Sequence, residues 1–176
     1  MQPLQEHRNR YEMVLKNNDM TNDITSLQQV LELLKAGVDP ATCNLVLRKE
    51  GLDTWNVASL PSDAVMADFP TRSFEDQVSY IHKTNMAPAW TTCALLGSIP
   101  DSSELTVTLT RGGYDTSEHH ETYEDAYMSD AYFAIFEYED DERDFYIERT
   151  FGGDSYLEAA ANMVIAYLTE LKAQIG

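Results

Sequence analysis

Apolar positions recur along the chain with two periods, and the change between them divides it. In "DITSLQQVLELLKAG" Leu27, Val30, Leu31 and Leu34 fall three and four apart, on one face of a helix. Asp23 or Thr25 can cap its start, and Gly37 supplies the left-handed position just past its end. "DPATCNLVLRKEG" predicts a second helix, with Asp39 as N-cap, Pro40 at the first helical position and Gly51 at the end. The short AGVDP link then makes a helical hairpin. "SFEDQVSYIHK" predicts a short helix capped by Ser73, with Asp76 completing a capping box and Phe74, Val78 and Ile81 facing inward. Residues 52–72 read as loop-rich, with a short strand at Trp55–Ala58. "AWTTCALLGSI" fits a strand or a buried helix equally well.

Beyond residue 104 the period shortens to two. Leu105, Val107 and Leu109 alternate with Thr106, Thr108 and Thr110, the pattern of a strand with one wet face. "AYFAIFEYE" and "FYIERTF" predict two more strands, and the five residues "DDERD" between them suit a hairpin loop. The chain closes with a long helical pattern that opens on a Ser155/Glu158 capping box. Its stripe is Leu157, Ala161, Val164, Leu168, Leu171 and Ile175, with Leu168 expected deepest. That stripe needs a cover, and the inner face of the sheet is the natural one. The expected fold is α+β: N-terminal helices, an antiparallel meander of about three to five strands, and a C-terminal amphipathic helix packed on the sheet. Residues 1–22 are expected to form an arm or helix, and 23–176 a single α+β domain.

Charge changes the picture more than composition does. The 176 residues are 43% apolar, enough for a core, but carry 30 acids against 12 bases, a net charge of −18. The excess is local: residues 101–154 hold sixteen acids and only Arg111, Arg143 and Arg149, a net −13. Such a surface repels nucleic acid and anionic membranes and attracts basic proteins. The N-terminal "MQPLQEHRNRYEMVLKNNDM" has no apolar stretch of signal-peptide type, and no apolar run approaches ~18 residues. A soluble cytoplasmic protein is expected. Cys43 and Cys93 lie in no CxxC or Cys/His cluster and are expected to be buried, reduced thiols.

Three readings of the acidic region compete. It is a solvated face, a docking surface for a basic partner, or a cation or catalytic site. Like charges on facing strands are destabilising, so stability alone does not favour the arrangement. The docking reading uses Glu137, Tyr138, Glu139, Asp140, Asp141, Glu142, Asp144 and Glu148, where aromatic side chains anchor and charges steer. In size and acidity the chain is similar to small phage-encoded inhibitors of restriction or CRISPR nucleases, a likeness of composition alone. The partner would then be a nuclease or DNA-binding protein whose basic surface accepts a mimic of nucleic acid, with no direct contact to nucleic acid or membrane. The metal alternative rests on "SEHHETYED": His119, His120 and Glu121 are proper ligand types. Adjacent histidines, however, point apart in strand and helix alike, and HExxH is missing. No cofactor is implied. A third possibility is an acidic accessory domain without activity of its own.

Overall fold

The first helix, α1 (Leu27–Ala36), starts where Ser26 accepts the Gln29 N–H and the Gln29 side chain accepts the Ser26 N–H, a closed capping box. Ser26, and not Asp23 or Thr25, is therefore the cap. Gly37 ends the helix at φ +94°, the left-handed position anticipated for it. This computed structural model describes residues 24–58, 66–111 and 132–176.

The expected second helix is replaced by a strand. Asp39 caps only a single 3₁₀ turn, Pro40–Thr42, after which the chain extends as β1 (Leu45–Lys49). A short β2 (Trp55–Val57) returns antiparallel to it. Helix α2 (Phe74–Thr84) follows, with Ser73 accepting the Asp76 N–H as expected. Of the two alternatives for the ambiguous segment Ala89–Ile99, the helix forms, and a strand ends where that segment begins. Met86–Ala89 forms β3, antiparallel to β1, and Thr92–Leu96 forms the short helix α3. Pro88 is tolerated because β3 is the edge of the sheet β2-β1-β3.

The second sheet, β4-β5-β6, is the anticipated meander: β4 (Leu105–Arg111), β5 (Tyr132–Asp140) and β6 (Phe145–Gly153), all antiparallel. Asp140 pairs with Phe145, so the hairpin loop is the four residues 141–144. Helix α4 (Tyr156–Ala166) then lies on β5 and β6, on the inner side of this sheet. It continues through a π-turn, Tyr167–Leu171, into a last helical turn, α5 (Lys172–Ile175). The wider π-turn changes which residues face inward. Tyr167 and Leu171 are buried there, whereas Leu168 is only half-buried and is not the deepest residue of the stripe. Tyr167 packs on Phe136 of β5 at 5.9 Å between ring centres.

One continuous core joins the two sheets through α1, α3 and α4, with Val30, Leu33, Trp90, Leu95, Phe136 and Met163 at its centre. Among the described residues no helix is long and apolar enough to cross a membrane. Cys43 is buried, but Cys93 is exposed on α3, against the expectation for it.

Candidate functional site

Register decides which side of the β4-β5-β6 sheet each charge takes. Thr106 faces Glu137, Glu137 faces Glu148, and Glu139 faces Tyr146 across the strands. Paired residues share a face, and successive residues along a strand take opposite faces. Thr106, Glu137, Glu139, Tyr146 and Glu148 therefore all lie on the outer face, away from α4. The bases take the other register: Arg111 faces Tyr132, and Arg149 faces Phe136, on the side of the core. Glu104, one residue before β4, continues the outer row, and its carbonyl accepts the Glu139 N–H at 2.9 Å.

Alternation in β5 explains this sorting. Ala134, Phe136 and Tyr138 point into the core, so the intervening Glu137 and Glu139 must point out. The outer-face carboxylates are about 6.7 Å apart along β5, two residues of strand. Between strands the spacing is closer, since Glu137 and Glu148 are direct partners. Tyr146 relieves part of that crowding. Its hydroxyl donates to Glu148 Oε2 at 2.8 Å and approaches Glu137 Oε1 at 3.4 Å. Burial of the hydroxyl and the hydrogen bond to Glu148 push its pKa upward.

A groove of about 680 Å³ opens at the loop end of this face. Ser103, Glu104, Thr106, Glu137, Glu139, Asp141, Glu142 and Tyr146 line it, together with Tyr138 and Asp140. No base lines it. The hydroxyls of Ser102 and Ser103 donate to the Glu104 carboxylate and hold its pKa below the usual carboxylate range.

The eight expected docking residues thus divide. Glu137, Glu139 and Glu148 share the outer face, and Asp141, Glu142 and Asp144 stand exposed in the hairpin loop. Asp144 adopts φ +49°, a left-handed conformation that Asp tolerates. Tyr138 is buried on the inner face. Asp140 also takes the inner register. It accepts from the backbone N–H groups of Glu142 and Arg143, each at 3.1 Å, and forms an ion pair with the Arg143 side chain. These two residues build the hairpin and are not free contact groups. Glu104 and Tyr146 are members of the surface that the sequence did not single out. Glu104 precedes the threonine strand by one residue, and its period-two position was the available signal.

His119, His120 and Glu121 lie outside the described residues. Among the described residues no group of three or more His, Cys, Asp or Glu side chains could hold a metal ion. Comparison of the chain with protein-family models, with curated proteins and with solved structures finds no match.

Proposed function

We propose that this is a non-enzymatic interaction protein whose outer β4-β5-β6 face docks on a basic protein surface. The observation that carries the reading is the sorting of charge across one sheet. Glu104, Glu137, Glu139 and Glu148 take the outer register, and Arg111 and Arg149 take the inner one. A merely solubilising face needs acids but has no need to exclude bases. A surface that meets cations gains from doing both, in encounter rate and in rejection of wrong partners.

The partner class favoured is a protein that itself binds nucleic acid. Duplex DNA presents one phosphate per roughly 3.4 Å of axis on each strand. The row of Glu137 and Glu139 on β5 has about half that density, and Glu148 on β6 adds a third carboxylate beside it. On this reading the protein works in the cytoplasm, where nucleases and DNA-binding proteins act, and needs no cofactor.

The test is capture of host proteins at low salt by the wild type and by a variant with Glu137, Glu139, Asp141, Glu142 and Glu148 all changed to Lys. Asp140 and Tyr138 stay intact, so the hairpin keeps its internal bonds. The expected result is a protein retained by the wild type, released by added duplex DNA and by moderate salt, and lost from the variant. Equal retention by the variant, or a partner indifferent to DNA, removes the reading.

A further inference from the structure

Arg143 is the only base in the stretch from Glu137 to Glu148, and it sits at the tip of the most acidic loop of the described chain. Its side chain does not face the partner side. The guanidinium pairs through Nε with Asp140 Oδ2, and through Nη2 it donates to Tyr138 Oη at 3.0 Å and to the Ile175 carbonyl at 2.9 Å. Tyr138 and Asp140 belong to the inner register of β5, and Ile175 ends the C-terminal helix on that same side. One cation therefore ties three elements together behind the sheet: strand, loop and helix end. Carbonyls at a helix C-terminus carry partial negative charge and suit a guanidinium. The planar fork of Arg can serve several acceptors at once, which a lysine ammonium on its flexible stem does less well.

Resting on the docking reading above, we propose that Arg143 is the positioning residue of the acidic face. It holds the 141–144 loop so that Asp141 and Glu142 stand beside Glu139 in the groove, and it keeps its own charge on the far side. The contrast with simple electrostatics is direct. If charge alone mattered, removing a cation from an acidic surface would strengthen binding to a basic partner. If Arg143 positions the loop, removing it weakens binding despite the extra negative charge.

The experiment compares Arg143→Gln, Arg143→Lys and Tyr138→Phe with the wild type in the full chain. Two readouts are taken: amide hydrogen exchange at Glu142 and Arg143, and affinity for a decaarginine peptide at low salt. The charge-reversed variant of the previous section serves as control. Positioning predicts exchange faster by about tenfold in Arg143→Gln, since loop opening is then less opposed. It also predicts affinity for decaarginine lower by about threefold or more, the change appearing in dissociation rate. Arg143→Lys should resemble Arg143→Gln, because it keeps the charge and loses the fork. Tyr138→Phe, which deletes a single hydroxyl, should fall between wild type and Arg143→Gln. Unchanged loop exchange in Arg143→Gln overturns the proposal. So does unchanged or tighter peptide binding while charge reversal still abolishes it, and in that case the docking reading survives alone. If charge reversal leaves peptide binding intact, the docking reading fails and the positioning role falls with it.

Discussion

Single residues within the acidic cluster have opposite stability roles. Asp140 receives two backbone N–H groups and the Arg143 guanidinium. The hydrogen bond from Arg143 holds its carboxyl below the usual range. A depressed folded-state pKa contributes stability above the unfolded value of about 3.9, and that stability is lost as pH falls through the folded value. Asp140→Asn should therefore lower the urea midpoint at neutral pH. It should also lose less further stability than wild type between about pH 5 and pH 2. Glu139→Gln and Asp141→Asn should be neutral or slightly stabilising, because neither side chain has an ion-pair partner among the described residues and each change removes a like charge. A drop in midpoint for Glu139→Gln as large as that of Asp140→Asn contradicts this division. Tyr146 offers a second contrast, since its hydroxyl is the donor that the facing pair Glu137 and Glu148 shares. Tyr146→Phe should cost about 0.5–1.5 kcal/mol. The cost should shrink in a Glu148→Gln background, as a double-mutant cycle by chemical denaturation can read.

At the scale of elements, the β6–α4 junction and the C-terminal helix make the sharpest demands. A Cβ on Gly153 would stand 2.5 Å from the Ala159 backbone nitrogen and 2.9 Å from the Glu158 carbonyl carbon. A Cβ on Gly152 would meet the Phe133 ring at 3.6 Å and the Tyr132 carbonyl oxygen at 4.0 Å, both ordinary contacts. Gly153→Ala should therefore cost about 1–3 kcal/mol by forcing α4 off the sheet, and Gly152→Ala much less. Leu171→Ala, at a fully buried position, should cost about 2–5 kcal/mol, and Leu168→Ala clearly less. The reverse order would restore an uninterrupted α-helix at this end. The period-two strands, the α2 cap, Gly37 and the packing of α4 were all legible because each is a local pattern. β1 was not. Asp39 and Pro40 signal a helix start, and they do start one, but it ends after a single 3₁₀ turn. What overrides them is distant in sequence. Asn44 exchanges two hydrogen bonds with Thr91, and Leu45–Arg48 pair with Met86–Ala89. No window of a dozen residues contains that information. The π-turn was hidden for a similar reason: a stripe at spacings of three and four fits either Tyr167 or Leu168 as the inward residue.

For the whole molecule, the decisive quantity is the excess of thirty acids over twelve bases. Its magnitude was readable at once, and its concentration in the meander nearly so. Its sorting between the two sides of a sheet needed the register, because a slip of one residue exchanges the faces. Asp140–Arg143 is the one ion pair among the described residues, so little of this charge is compensated within the described chain. Self-repulsion then opposes the compact state and is long-ranged at low salt, where the Debye length is about 30 Å at 0.01 M against about 8 Å at 0.15 M. Raising NaCl across that range should increase the thermal midpoint. The same titration should weaken any complex with a basic partner, because steering and charge pairing across the interface are screened together. The two effects have opposite signs, which separates a docking surface from acids that are paired internally. A variant with Glu137, Glu139 and Glu148 changed to Gln isolates the outer face from general effects of salt. It should gain less in midpoint than the wild type over the same range, and begin higher at the low-salt end. Calorimetry of the two proteins at both salt concentrations is the measurement. A wild-type midpoint that falls with salt, or a variant that gains as much as wild type, means that these carboxylates are not the uncompensated charges on which the docking surface depends.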